Sequence, residues 1–419
     1  MQLDDADRQG MGEAYDAAQG RWLELLERLV GINSFSDNLA GIDAVRAALR
    51  PELERLGFTV EEPLLPPVDS VRPRAAHLVA RRTSAGAPRA LLIAHLDTVF
   101  PPGVGLGRLA RDGDVLRGPG VGDIKGGVVA ILAALDLMRQ SGSLDEVDVT
   151  VFLNSDEEAG SHSSRDLLRR LAKGSDVALG FEPAFCPAGE PVTAPTRVQH
   201  VLKRKGCGRW AFRLKGVAAH SGGAHQQGVS AIEGLARKIL DIHALTDDAR
   251  GITTNVGLCD GGRSANTVAP DAGGEVDFRY QTAEDGEVLA GRIREIVERP
   301  ELVNARLATP VTGVVEPGGG ALWPPLLPTP DSERLSRLIV DVSAGLGVIA
   351  EPITRGGASD AAHAAAVGVP AICGLGPLTA GIHTDDEHSS ASGLKRSSLV
   401  AAALLLALGD ADFQRARPA

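Results

Sequence analysis

Residues 91–127 constrain this chain more than any other stretch. A short apolar run over 91–94 stops abruptly at His95-Leu96-Asp97. In extended backbone alternate side chains face one side, so His95 and Asp97 point together while Leu96 turns back. That spacing suits a metal-bound imidazole whose second nitrogen is held by a carboxylate, which fixes its tautomer and raises its basicity. It equally suits a structural histidine resting on a nearby acid. The second half, Gly118-Pro119-Gly120-Val121-Gly122-Asp123-Ile124-Lys125-Gly126-Gly127, places one carboxylate in a glycine-dense loop before a helical run. Strand end, His-x-Asp-Thr and Gly-Val-Gly-Asp-x-Lys-Gly-Gly are far more specific together than singly.

Hydrophobic periodicity extends the pattern. It predicts helices over 12–30 and 39–56, strands over 58–62, 76–81 and 91–94, and a helix over 128–138. A strand over 147–154, a helix over 164–172 and a strand over 177–181 follow. Such alternation means α/β layers, whose ligands sit beyond the carboxyl ends of strands. His95, Asp97, Glu157, Glu158 and Glu182 all fall at or just after such ends. Near residue 200 the composition shifts. Strands over 208–216, 253–259 and 274–280, with helices over 230–243 and 285–297, indicate a compact inserted α+β domain. The Gly- and Pro-rich stretch 316–330 reads as the return linker. A helix over 332–346, a strand over 369–374 and a helix over 394–408 close the chain. A chain of 419 residues is too long for one ordinary core. The expected division is a catalytic domain of 1–202 and 316–419, with 203–315 inserted.

A net charge of −11 disfavours nucleic acid and anionic membranes as partners. The opening MQLDDADRQG lacks a basic segment followed by an apolar one, so no export signal is expected. The longest apolar runs are too short to span a bilayer. Cys186, Cys207, Cys259 and Cys373 are scattered without CxxC spacing, which indicates neither a thiolate zinc cage nor a disulfide framework. A reducing cytoplasm is the simplest location.

His95, Asp123, Glu158, Glu182 and His383 can be collected as ligands. Histidine and carboxylate without thiolate suit zinc, manganese or cobalt in a catalytic site that keeps room for water. With one bridging carboxylate the set serves two ions, enough to activate water and stabilise an oxyanion. In Asn154-Ser155-Asp156-Glu157-Glu158-Ala159-Gly160 the adjacent carboxylates cannot serve one ion equally. The natural division makes Glu158 a ligand and Glu157 the general base. His388 competes with His383 for the last place. Gly356-Gly357 in a glycine-rich turn offers backbone N–H groups to a substrate carboxylate. His220, in Gly216-Val217-Ala218-Ala219-His220-Ser221-Gly222-Gly223, and Arg279 matter only if the inserted domain folds over the metals. No phosphate loop, GxGxxG or GxSxG motif is present.

On SDEEAGS, FEP, GVAAHSGG, EVDFRY and GGASDAAHAAAVGVP the chain resembles metallopeptidase family 20 over nearly its whole length. That family includes aminoacylase, acetylornithine deacetylase, succinyl-diaminopimelate desuccinylase and, nearest in these motifs, bacterial glutamate carboxypeptidase. The resemblance implies that His95 and Glu182 hold one zinc, Glu158 and His383 the other, and that Asp123 bridges. It makes Asp97 the residue that orients His95, and Glu157 the base. It favours His383 over His388 and implies a cis peptide at Asp123–Ile124. It makes the inserted domain a lid and dimerisation domain, with His220 stabilising the oxyanion of the neighbouring subunit. Asn266 and Arg279 match positions that bind the substrate's carboxylate. Two departures bear on the substrate: His225 stands where relatives usually have proline, and Arg355 lies one place from an arginine of glutamate carboxypeptidase.

The sequence therefore predicts a homodimeric dinuclear zinc hydrolase cleaving an amide beside a free carboxylate, a carboxypeptidase in the first instance. An N-acyl-amino-acid deacylase, or an amidohydrolase or deaminase acting on a non-peptide amide or an aromatic amine, is the alternative with the same site. A catalytically silent binding protein on this fold is disfavoured, because Glu157 and all five ligands are intact.

Overall fold

The computed structural model describes residues 5–66, 74–104 and 107–409. The apolar run over 91–94 becomes the middle of the strand Arg89–His95. Its side chains alternate between two cores: Ala90, Leu92 and Ala94 join one cluster, Leu91 and Ile93 another. A strand buried on both faces needs parallel neighbours with helices above and below. It lies inside a six-stranded sheet ordered Thr59–Glu61, Leu78–Arg82, Asp148–Asn154, Arg89–His95, Val177–Gly180, Ala371–Ile372. The first two pairings are antiparallel and the remaining three parallel. Helices Asp5–Val30, Lys125–Ser141 and Ala391–Ala407 cover one face. Arg165–Lys173 and Ala361–Ala366 cover the other. Because Asp148–Asn154, Arg89–His95 and Val177–Gly180 run the same way, the residues after them emerge side by side.

The inserted domain has its own five-stranded antiparallel sheet. Thr253–Gly261, Asp271–Tyr280, Gly206–Lys215 and Thr312–Val315 lie in that order, and Gly320–Trp323 also pairs with Gly206–Lys215. Trp210, Phe212 and Leu214 point from alternate positions into a separate core under helices Ala231–His243 and Ala283–Glu298. The outward crossing is abrupt. Val198–Arg204 pairs in parallel with Ala350–Arg355, Lys205 follows, and Gly206–Lys215 already belongs to the inserted sheet. The return differs from the linker expected over 316–330. Gly320–Trp323 is a strand, and Leu322 and Trp323 are buried against Cys207. Those apolar side chains override the Gly and Pro content around them. The Arg204 N–H donates to the Leu326 carbonyl at 2.9 Å, so the two crossings touch. Among the described residues no helix is long and apolar enough to cross a membrane.

Candidate metal centre

Three adjacent strand ends and two glycine-rich loops converge at this centre. His95 closes its strand, and its Nδ1 lies 3.0 Å from the Asp97 carbonyl oxygen and 3.4 Å from Asp97 Oδ1. Donation from Nδ1 to that carbonyl leaves Nε2 free to ligate. The Asp97 carboxylate also has work that the sequence did not reveal. It accepts from Ser36 Oγ at 2.7 Å and from the backbone N–H groups of Glu157 and Glu158 at 3.1 and 3.2 Å. One buried acid thus faces the imidazole and fixes the turn that presents both glutamates.

Asp123, followed by a cis peptide bond to Ile124, turns its two oxygens toward different imidazoles. Oδ1 is 3.3 Å from His95 Nε2, and Oδ2 is 3.4 Å from His383 Nε2. Glu182 Oε1 approaches His95 Nε2 at 3.6 Å, and Glu158 Oε1 approaches His383 Nε2 at 3.3 Å. The result is two sets, His95/Glu182 and His383/Glu158, sharing Asp123. His388 lies apart, its Nδ1 2.7 Å from the Asp386 carbonyl, in a strand paired with Val115–Arg117.

The donor set fits cations. His95 Nε2, Asp123 Oδ1 and Glu158 Oε1 are buried without hydrogen-bond partners, and ligand atoms of these three residues lie within 4.8 Å of one another. Two ligands each about 2.0–2.1 Å from a tetrahedral ion stand about 3.3 Å apart, which is the spacing found here. The electrostatics point the same way. Burial, opposed by His95 and reinforced by Asp123, pushes Glu182 up to about 8. Burial and then the charge of Glu182 hold Glu157 well above the carboxylate range. Burial, with Asp123, raises Glu158 as well. Positive charge at the shared centre relieves all three.

Close backbone approach explains the glycines. The helix after Asp123 begins at Lys125, earlier than the periodicity indicated. A Cβ on Gly127 would lie 2.1 Å from the Phe181 carbonyl oxygen, and one on Gly126 would lie 2.5 Å from that of Val121. The helix start is therefore pressed against the chain one residue before Glu182. Gly127→Ala is expected to cost about 1–3 kcal/mol, as overpacking does, and to weaken metal uptake by spreading Asp123 from Glu182. Unfolding of the metal-free protein in denaturant and a metal titration check this; wild-type values in both would refute it.

Two further acids were not singled out from the sequence. Glu387 accepts from the backbone N–H groups of Gly120, Gly122 and Asp123 at 3.2, 2.9 and 3.0 Å. It ties the Asp123 loop to the loop that carries His383, whose backbone is held at φ +64°. Asp360, inside the quoted GGASDAAH motif, accepts from Ser161 Oγ at 2.6 Å, from Trp323 Nε1 at 3.3 Å and from Asn154 Nδ2. It fastens the glutamate turn to the chain returning from the inserted domain. Position four residues beyond His383, and membership of a quoted motif, were the signals available for them.

The centre opens into a cleft of roughly 390 Å³, lined on one side by Asp123, Glu157, Glu158, Glu182 and His383. The lining also includes Arg279, Gly357, Arg204, Arg209, Arg355 and Cys207. Arg279 is gripped by Asp277 through two contacts of 2.8 Å. His220 and Asn266 are not among the lining residues; both are exposed on the inserted domain. His220 Nδ1 accepts from the N–H groups of Gly222 and Gly223 at 3.2 and 3.0 Å, which places its ring proton on Nε2. Asn266 Oδ1 accepts from Ser264 Oγ at 2.8 Å.

The family model for peptidase family M20/M25/M40 matches residues 91–407. Carboxypeptidase G2 of Pseudomonas sp. (strain RS-16) is 29% identical over 402 residues, covering 92% of this chain and 89% of that protein. A succinyl-diaminopimelate desuccinylase of Delftia acidovorans is 28% identical over 393 residues, covering 88% and 93%. Among solved structures, an M20-family metallo-carboxypeptidase from Sulfolobus solfataricus shares the fold. Its TM-score is 0.72 at 16% identity, over 93% of this chain and 99% of that one.

Proposed function

Because the chain belongs to peptidase family M20/M25/M40 and is a metallo-hydrolase, we propose that it cleaves an amide bond beside a free carboxylate, using two zinc ions. The observation that carries this reading is Asp123, with one oxygen toward His95 and the other toward His383. His95 and Glu182 would hold one ion, Glu158 and His383 the other, and Asp123 would serve both; manganese or cobalt would suit the same donors. Ions held there would supply Lewis-acid chemistry, lowering the pKa of water and polarising the amide carbonyl. Glu157 takes the water's proton and returns it to the leaving amine. Asp97 holds His95 and the glutamate turn in place. Arg279, Asn266 and Gly357 receive the substrate's carboxylate.

Similarity to carboxypeptidase G2 supports release of a C-terminal amino acid. Similarity to the desuccinylase supports a second reading, removal of an acyl group from an amino acid at the same site. Metal analysis, with dipeptides and N-acyl amino acids assayed under zinc, manganese and cobalt, separates the two. Fewer than two equivalents of metal at full activity would overturn the dinuclear mechanism. The proposal includes a cytoplasmic homodimer joined through the inserted domain, with limits of 1–202, 203–315 and 316–419. Pairing of Gly320–Trp323 with Gly206–Lys215 supports an exit a few residues later.

His220 acts in this scheme across the dimer interface, its Nε2–H aimed at the oxygen that becomes negative. Removing one such donor typically costs about 10² to 10³ in turnover. His220→Ala is expected to lose that much while keeping its metals and its dimer. Mixed with Glu157→Gln under conditions of subunit exchange, it should regain activity, since one site of each heterodimer is then intact. No recovery after proven exchange would place His220 outside the partner's site.

A further inference from the structure

A second space, sharing no lining residue with the metal cleft, lies beside the chain that carries Glu182. Helices Pro330–Gly345 and Ala391–Ala407, the paired strands Val198–Arg204 and Ala350–Arg355 and the loop 374–378 enclose it. It is a chamber of about 30 Å³, walled largely by apolar side chains such as Ile339, Leu375, Leu378 and Val400. His200 and Arg396 also line it, and both are donors that lack an acceptor. His200 is 2% exposed. Its Nε2 lies 2.7 Å from Ser336 Oγ, while its Nδ1 has no partner. Among the described hydrogen bonds the Ser336 hydroxyl has no other acceptor, so it donates to Nε2 and the ring proton stands on Nδ1. Burial holds this imidazole down to about 4, which keeps it neutral. Arg396 Nη1 is likewise buried without a partner. Burial lowers the Arg396 pKa, and the charge of Asp114 works the other way. Yet the Asp114 oxygens receive the N–H and Oγ of Ser392, and among the described residues no ion pair joins Asp114 to Arg396. Two buried N–H groups facing one small space cost free energy until something there accepts from them.

Size and chemistry narrow the occupant. A water needs roughly 10–15 Å³ on this measure, so the chamber takes two waters or a single carboxylate group. A larger ligand must continue outward. An outer trough of about 180 Å³ shares Arg396 and Val348 with the chamber and adds Leu346 and Leu399. We propose that chamber and trough together bind a short aliphatic carboxylate, its head on His200 Nδ1 and Arg396 Nη1, its tail along Val348, Leu346 and Leu399. Donors without acceptors select an anionic head over an ammonium group, and charge-assisted hydrogen bonds make it the stronger occupant. The site stands whether or not the hydrolase reading above holds. Its reach to the metal centre runs through the loop that forms another part of the wall, Gly374, Leu375 and Gly376. The Leu375 N–H donates to the Gly180 carbonyl at 3.1 Å, and that of Gly376 to the Glu182 carbonyl at 2.9 Å. A Cβ on Gly376 would lie 2.5 Å from the Phe181 carbonyl oxygen. A head seated in the chamber therefore braces this loop against the backbone that bears Glu182.

The test follows the ring signals of His200 in the full-length protein labelled with ¹⁵N-histidine, assigned by their absence in His200→Gln. Hexanoate should move them in a saturable way, whereas hexylamine and hexanol should not. Acetate, which has the head alone, should bind at least about tenfold more weakly, because each buried methylene adds several-fold. Arg396→Gln should weaken hexanoate by at least about tenfold, the usual loss for a hydrogen bond to a charged group. Leu399→Glu, in the outer trough, should weaken it as well, and thermal unfolding checks that both variants fold. Signals unmoved by hexanoate up to its solubility limit would mean that the chamber holds buried water only, and would overturn the proposal. A response that survives both variants, or an equal response to hexylamine, would overturn it too. Hydrogen exchange reads the brace independently of any hydrolysis. With hexanoate bound, the amides of Leu375 and Gly376 should exchange several-fold more slowly in the wild type and not in Arg396→Gln. Unchanged exchange in a wild type whose His200 signals do move would refute the link to Glu182.

Discussion

Stripped of its metals by a chelator, the protein is expected to lose all measurable hydrolysis and to recover it on adding zinc. The size of the effect follows from the site. Without cations His95, Asp123 and Glu158 keep buried atoms without hydrogen-bond partners, and the proposed mechanism relies on a metal to lower the pKa of water at neutral pH. The pH dependence of reloading has a definite sign. In the metal-free protein Asp123 and Glu158 push His383 up to about 10. Burial of His95 works against its charge, but Asp123 and Asp97 outweigh it and hold that imidazole protonated. Only neutral imidazole ligates, so uptake must release protons and apparent affinity must fall as pH falls. A titration at several pH values in a weak metal buffer reads both the slope and the proton count. Full activity in a verified metal-free sample, or affinity that rises on acidification, would contradict this account.

Glu157→Gln is expected to lower turnover by about 10² to 10⁴, the usual contribution of general acid–base catalysis, with metal content near wild type. Glu157 lines the cleft with the proposed ligands, but the shortest imidazole contact from this pair of glutamates is made by Glu158, 3.3 Å from His383. The amide keeps the size of the side chain and removes the ability to take a proton. The backbone N–H of residue 157 still reaches Asp97, so the turn should stay in place. Single-turnover kinetics with metal analysis on the same preparation decides the matter. A variant that loses one metal and retains much of its rate would mean that the roles of Glu157 and Glu158 are exchanged.

The legible parts of this chain were those in which chemistry and strand ends coincide within a few residues. His95 and Asp97 lie two apart at the end of an apolar strand, and Glu157 and Glu158 follow another. Parallel strands then bring such ends together without further information. The strand Gly320–Trp323 was not legible, because its Gly and Pro neighbours mask two apolar residues whose value depends on Cys207, more than a hundred positions away. The same holds for Arg204 and Arg355. They are separated by about 150 residues, and only the register of two strands makes them neighbours. Glu387 was passed over for a different reason. Its partners are backbone N–H groups, which leave no mark on residue identity.

The contact between the two crossings has a mechanical consequence. Lys205 alone separates the strand Val198–Arg204 from Gly206–Lys215, and the return chain is pinned beside it through Arg204 and Leu326. A body attached at one narrow place turns about that place as a lever turns on its fulcrum. Displacement is least there and grows with distance. Arg204 lies at that place, its N–H on the Leu326 carbonyl. Any rotation of the inserted sheet about that place would therefore move Arg204 little relative to the strand Val198–Arg204 that it closes.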